Sequence, residues 1–260
     1  MSINAQYLKN LQQSLDPFRP ISLDAISDAS LMDRVDTKFI LHQQKITSIL
    51  SAAQSSYHVL EISDARVMTY KNQYFDTEAF DCYTDHHNGK GHRFKVRIRE
   101  YSASNKRYLE VKIKENTGRT KKKRKQIDAF TALNTLEGQA FVRRNCSLKS
   151  SISPVLQNDF KRITLIAPDL SERVTIDIGL TFQNGHGRYQ PENLAIIEIK
   201  QGTFNRMGNF FQILKHHGIL PYRVSKYCIG MAQLNPSLKQ NIFKEKRLRI
   251  NKVTAAQWSF

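Results

Sequence analysis

Between Arg93 and Arg99 the chain alternates without a break, with Arg93, Lys95, Arg97 and Arg99 at odd positions and Phe94, Val96 and Ile98 at even ones. Successive side chains of a strand point to opposite faces, so such a segment buries its apolar row only by giving its other face wholly to cations. The next segment repeats the design, with Tyr108, Glu110, Lys112 and Lys114 opposite Leu109, Val111 and Ile113. Three further segments follow it. Arg34, Asp36 and Lys38 oppose Val35 and Phe39; Arg173, Thr175 and Asp177 oppose Val174, Ile176 and Ile178; Glu198 and Lys200 oppose Ile197 and Ile199. A sheet with one oily face and one charged face is the predicted frame.

A solvated face ordinarily mixes both signs, and like charges directly opposite one another destabilise a ladder. Here cations outnumber acids strand after strand, in a chain of 260 residues with 40 Lys and Arg against 23 Asp and Glu, a net charge of +17. Two unit charges 4 Å apart interact by about 4 kcal/mol at an effective dielectric of 20, so a concave surface lined in this way favours bound anions. The excess points to a polyanionic partner. With 40% hydrophobic residues the chain can build a core without disulfide staples, and global disorder is excluded. Cys82, Cys146 and Cys228 are an odd number, far apart and without a C-x-x-C pair, which argues against a disulfide framework or a zinc site and for a reducing, cytoplasmic setting. No apolar run reaches the roughly 18 residues of a membrane span, and Met1 to Asn10 lack the apolar core of an export signal.

Strands are expected at 34–42, 57–62, 67–76, 93–101, 106–114, 119–128, 155–167, 172–182 and 194–201. Helices are expected at 5–15, 43–54, 78–87, 134–144, 205–217 and 225–234, with Ser225 as N-cap of the last. The fold class is α+β. Nine strands suffice to close an antiparallel barrel with the cations inside and the helices outside. Residues 1–33 read as an N-terminal arm, 34–234 as the main domain and 235–260 as a basic tail, a surface helix or loop able to meet acidic lipid headgroups.

Within such a tunnel the few acids, Glu110, Asp177 and Glu198, suit a hard divalent ion that bridges phosphates, with charge-balancing salt bridges as the alternative. The run Arg119, Lys121, Lys122, Lys123, Arg124, Lys125 reads as a strand sending alternate cations inward, and the residues leave the parity open. His86, His87, His92, His216 and His217 form no metal-ligand pattern and read as surface residues. A P-loop is absent and no Ser-His-Asp set is supported.

The segments Arg34-Val-Asp-Thr-Lys-Phe39, Tyr74-Phe-Asp-Thr77, Lys95-Val-Arg-Ile-Arg-Glu-Tyr101, Leu109-Glu-Val-Lys112, Ile197-Glu-Ile-Lys200 and Ser225-Lys-Tyr227 occur in this order. Together they resemble the VTC domain, the polyphosphate polymerase branch of the CYTH or triphosphate tunnel superfamily, over about residues 34–234. The resemblance implies a closed antiparallel barrel, the triphosphate tunnel, whose basic lumen binds ATP and threads polyphosphate with Mn2+ or Mg2+ assisting transfer of the γ-phosphate. It implies catalytic roles for Arg97, Arg99, Lys112, Arg162, Lys200 and Lys226. Phosphate holding would fall to Arg34, Lys38, Lys95, Arg173, Ser225 and a lysine of the basic run, Lys123 or Lys125. Glu198 and Glu110 would meet the metal. Phe160 stands where the family pattern resembles a tyrosine, and Arg34-x-Asp36-x-Lys38 replaces the E-x-E-x-K of hydrolytic relatives, which favours polymerase over triphosphatase. Those two activities, and a non-catalytic polyphosphate-binding module, are the readings carried forward. Nucleic acid is disfavoured, because aromatic residues do not interleave with the charges of 93–99 to offer stacking platforms. Moving polyphosphate across a membrane would need a membrane-protein partner, through which the chain would be membrane-associated. Nothing in the sequence specifies an oligomeric state.

Overall fold

The computed structural model describes residues 3–26, 35–117, 119–148 and 150–255. Its eleven strands are β1 (Pro20–Ile21), β2 (Val35–His42), β3 (His58–Leu60), β4 (Met68–Thr77), β5 (Arg93–Tyr101), β6 (Lys106–Lys114), β7 (Thr120–Ile127), β8 (Ile152–Ile166), β9 (Glu172–Asn184), β10 (Gly187–Tyr189) and β11 (Leu194–Gln201). The helices are α1 (Ala5–Gln13), α2 (Ile46–Ala53), α3 (Asp81–His87), α4 (Leu136–Asn145), α5 (Asn209–His216), α6 (Lys226–Leu234) and α7 (Asn241–Ala255). All strands join one sheet in the order β2-β11-β9-β8-β4-β5-β6-β7, with β3 on β8, β10 on β9 and β1 on β3. Every pairing is antiparallel except β1 with β3.

The expected closed barrel is corrected to an open, curled sheet, whose two ends are β2 and β7. The chemistry of β7 explains why it is an edge: Lys121 to Lys125 put cations on both of its faces, and lysine is the usual guard of an unpaired strand. Pairing it with β2 would set these cations about 4.8 Å from Lys38. The sheet nevertheless curls far enough for the charges of Lys38, Glu198 and Asp36 on β2 and β11 to act on Lys112 of β6.

The apolar rows pack outward. Phe39, Ile163, Leu165, Val174, Ile176, Ile197 and Ile199 share a fully buried core with residues of α1, α2 and α5. Val96, Ile98, Leu109 and Val111 join Leu133, Val142 and Cys146 near α4. On the concave side one end is apolar too, filled by Leu156, Leu180, Phe182 and Ile196 with Tyr227 and Met231 of α6. That change of character along β9 depends on Gly179. Its φ of +60° accompanies a register shift, from Asp159↔Thr181 to Lys161↔Ile178, so that Asp177 and Leu180 both face inward. A side chain there would also strike Ile3, whose Cδ1 lies 2.2 Å from the position a Cβ would take.

Several expectations are adjusted. Helix α3 begins at Asp81 rather than Glu78, because Phe80 takes a left-handed conformation with φ +55°. The basic tail is helical, as α7, and buries Phe243 and Ile250 against the body. His87 is buried, and it and His86 pack on Phe243, so these two are not free surface residues. The three cysteines are buried and unpaired. No helix among the described residues is long and apolar enough to cross a membrane.

Candidate functional site: a cationic lumen

Cross-strand register assembles the concave face. On β5 and β6 the pairs are Arg93↔Lys114, Lys95↔Lys112, Arg97↔Glu110 and Arg99↔Tyr108. On the far side Glu198 stands between Lys38 of β2 and Thr175 of β9, and Lys200 between Asp36 and Arg173. Arg162 of β8 faces Asp177 of β9. Helix α6 enters from one end, with Ser225 as its N-cap accepting from the Cys228 amide. The expected residues Lys38, Lys95, Arg97, Arg99, Lys112, Arg162, Arg173, Lys200, Ser225 and Lys226 are thereby brought to one surface. Arg34 lies outside the described residues.

The basic run is placed differently from the expectation. Glu110 pairs with Arg124, Lys112 with Lys122 and Val111 with Lys123. Directly opposed residues share a face, so Lys122 and Arg124 line the lumen while Lys123 and Lys125 stand on the other side with Val111 and Leu109. Lys125 there binds Glu137 of α4. Arg124 lies over the Tyr108 ring at 5.0 Å.

Three carboxylates organise the lumen, each gripped by two cations. Glu110 accepts from Arg97 Nε at 2.7 Å and from Lys122 Nζ at 3.0 Å, one partner on each oxygen. Asp177 takes a two-pronged contact from Arg162, at 2.5 and 2.8 Å, and a third from Lys226. Glu198 is held by Lys38 at 3.0 Å and by Lys200. Burial works against the charge of all three acids. It is overcome chiefly by Arg97 at Glu110, by Arg162 and Lys226 at Asp177, and by Lys200 and Lys38 at Glu198, so each carboxyl sits below its ordinary range. The Glu110 and Asp177 clusters each carry one surplus positive charge, whereas Asp36 stands opposite Lys200 in the Glu198 cluster.

Other lumen cations make no ion pair among the described residues. Lys112 reaches lumen solvent without an ion pair, and burial together with the Lys38 ammonium lowers its pKa to about 8. Lys95 donates to Ser225 Oγ at 3.0 Å, and burial lowers its pKa. Arg99 is buried, donates to Asn72 Oδ1 at 2.7 Å and lies over the rings of Tyr70, Tyr101 and Phe160 at 5.3 to 5.9 Å. Phe160 also lies beneath Arg162 and Lys226, at 5.2 and 4.7 Å. Phe160 thus serves as a platform for three cations, a role that needs no hydroxyl.

Sequence reasoning overlooked this aromatic floor. Its signal lies in β4, where Tyr70, Asn72 and Tyr74 alternate on one face and support Arg99, Arg162 and Arg97 from below. Thr175 is, in the sequence, only one position of an alternation. It is 3% exposed, and its hydroxyl, beside Glu198, has no hydrogen-bond partner among the described residues.

Residues 33–235 match the family described as the VTC domain. The chain belongs to the VTC domain family. No curated protein matches it. Among solved structures, this VTC domain is similar to a candidate adenylate cyclase from Bacillus halodurans, at 15% identity over 78% of this chain and 97% of that one, with a TM-score of 0.53. It is also similar to a candidate adenylyl cyclase from Hippeastrum, described as having a dominant triphosphatase activity. There the identity is 18%, the coverage 77% and 96%, and the TM-score 0.50. At these identities the likeness is one of fold alone.

Proposed function

We propose that this VTC domain is a polyphosphate polymerase, transferring the γ-phosphate of ATP to the end of a polyphosphate chain held in the lumen. The observation that carries the reading is the cationic surplus left after Glu110, Asp177 and Glu198 have each been matched by two cations. Lys95, Arg99 and Lys112 make no ion pair among the described residues, so an anionic ligand would find their charge free to pair with it. The surplus is spread along the lumen, as suits a linear polyanion. In the reaction a terminal phosphate oxygen of the chain attacks the γ-phosphorus, the bond to the β–γ bridging oxygen breaks, and ADP leaves with that electron pair.

Such transfer needs positioning and neutralisation of charge on the equatorial oxygens more than a covalent nucleophile. Arg97, Arg99 and Arg162 offer fixed guanidinium forks, the first and last preset by their carboxylates. Lys112 and Lys95 add mobile ammonium groups, and Ser225 Oγ, which already accepts from Lys95 and the Cys228 amide, keeps its own proton to donate.

The fit of a divalent ion differs between the two expected ligands. Both carboxylates carry a cation on each oxygen, but the Glu110 side chain is only 2% exposed, so it does not fit as a ligand. Glu198 is more open at 15%, with the unpartnered Thr175 hydroxyl across from it. No group of three His, Cys, Asp or Glu gathers among the described residues. That suits an ion carried largely by phosphate oxygens and anchored by one carboxylate, the habit of Mg2+. Held so, Mn2+ or Mg2+ would neutralise charge on the transferring phosphates.

The test is a timed incubation with ATP and Mn2+, with and without a short polyphosphate primer, following ADP, orthophosphate and chain length together. ADP appearing with lengthening chains, and lost in Arg97→Ala, is the expected result. Orthophosphate without polymer would reassign the protein as a triphosphatase, and tight polyphosphate binding without turnover as a binding module.

A further inference from the structure

Two of the motifs, Tyr74-Phe-Asp-Thr77 and Ser225-Lys-Tyr227, meet in space although Asp76 contributes nothing to the lumen surface. Asp76 is fully buried. Its Oδ1 accepts from the backbone amides of Thr77 and Cys82, both at 2.8 Å, and its Oδ2 from the Tyr83 amide at 3.0 Å and the Tyr227 hydroxyl. The carboxylate therefore closes the start of α3 and ties it to the first turn of α6. Its acceptors are taken by neutral donors, with no arginine or lysine among them. The Tyr227 ring also rests on Tyr74, with centroids 5.1 Å apart, so β4 holds this tyrosine by both its hydroxyl and its face.

Tyr227 directly follows the two residues through which α6 serves the lumen. Lys226 reaches Asp177 on β9, and Ser225 receives Lys95 from β5. A lysine side chain has four rotatable bonds and about 2 kcal/mol of rotamer entropy, so an ammonium poised for a phosphate depends on where its backbone is fixed. The helix's own restraint at that point is the Ile229 amide on the Ser225 carbonyl at 2.9 Å and the Cys228 amide on Ser225 Oγ at 3.4 Å, neither of which holds the Tyr227 side chain.

We propose that Asp76 and Tyr227 are positioning residues, which lock the first turn of α6 so that Lys226 and Ser225 face the phosphate-binding lumen. The inference rests on the phosphate-binding reading above, and it adds residues that touch no ligand. Removing Asp76 outright would leave several amides unpaired and endanger folding. Tyr227→Phe is the cleaner variant, because it keeps the ring against Tyr74 and removes only the hydroxyl.

The experiment measures tripolyphosphate affinity by calorimetry in the parent, Tyr227→Phe, Lys226→Ala and the double variant, together with the rate at which Lys226 is acylated by acetic anhydride, read by mass spectrometry. Tyr227→Phe is expected to weaken tripolyphosphate binding about tenfold, one hydrogen bond's worth of positioning. It should also speed acylation of Lys226 as the ammonium leaves Asp177. In the Lys226→Ala background the same change should cost little further affinity. Full additivity, which a merely structural tyrosine would give, overturns the proposal, as do unchanged affinity and unchanged labelling. A parent that does not bind tripolyphosphate refutes the functional reading instead. The labelling rate then still decides whether Tyr227 positions Lys226.

Discussion

The two sides of the lumen solve opposite electrostatic problems. On β8, β9, β11 and β2 the cations are written around acids, Arg162 and Lys226 on Asp177 and Lys38 and Lys200 on Glu198. On the lumen face of β5 and β6 two consecutive rungs oppose like charges, Lys95↔Lys112 and Arg93↔Lys114, while the Arg97↔Glu110 rung is balanced. Opposed like charges destabilise a ladder, so the fold tolerates on this side what it neutralises on the other. The first side is a preset frame whose geometry exists without ligand. The second is held in a state that a bound anion would relieve.

The largest contrast should come from Asp177. Taking away one partner of a buried ionic cluster strands the others, at a typical cost of about 3–5 kcal/mol. Asp177→Ala leaves both Arg162 and Lys226 uncompensated at a position that is 2% exposed, and urea unfolding should show a loss of that order. Lys112→Gln, on the unbalanced side, should leave the unliganded protein as stable as the parent or more so while weakening tripolyphosphate binding. If both variants lose similar stability, the division into frame and strained side is wrong.

A titration sharpens the same comparison. With its pKa lowered to about 8, Lys112 is protonated below that pH in both folded and unfolded chains, so its unfavourable charge is fully present there. As pH rises from about 8 toward the ordinary lysine value near 10.4, the folded state gives up the proton first, and the unliganded protein should gain stability. Anion binding responds with the opposite sign, because the bound phosphate favours the ammonium and must recover the lost proton. Tripolyphosphate affinity should therefore fall above pH 8, by at most about tenfold per pH unit. Lys112→Arg stays charged throughout, so whatever slope remains in that variant belongs to the ligand and to the other lumen lysines with lowered pKa values, Lys95, Lys200 and Lys226. An identical slope in parent and variant would remove Lys112 from the binding equilibrium.

How much of this was legible in the sequence follows from where the decisive contacts lie. The alternation at 93–99 and 109–113 defines both faces of a strand by itself, so the sheet, its cationic side and most lumen residues could be read directly. The 121–125 run has no apolar row to serve as reference, and only its pairing with β6 makes Lys122 and Arg124 the inward residues. Closure was illegible for a related reason, since it depends on whether the two last strands meet. Helix α7 was hard to see because only Phe243 and Ile250 of its fifteen residues are buried. Asp76 and Tyr227 were visible as motif letters, but their hydrogen bond spans 151 positions.

The smallest expected effect concerns Thr175, which sits on the framed side yet behaves like the other. Its hydroxyl is buried across from Glu198 with no partner among the described residues, and a buried unpaired hydroxyl costs about 1–3 kcal/mol. Thr175→Val keeps the branched shape demanded by the strand and replaces the hydroxyl with a methyl group. If the hydroxyl is a spare donor or ligand for the phosphate-bound ion, the unliganded variant should be more stable by about 1 kcal/mol in urea while binding Mn2+ with tripolyphosphate more weakly, and Thr175→Ser should behave as the parent. A loss of stability in the valine variant would instead mean that solvent already satisfies the hydroxyl. Thr175 would then belong to the frame, and the line between the two sides would fall where the salt bridges put it.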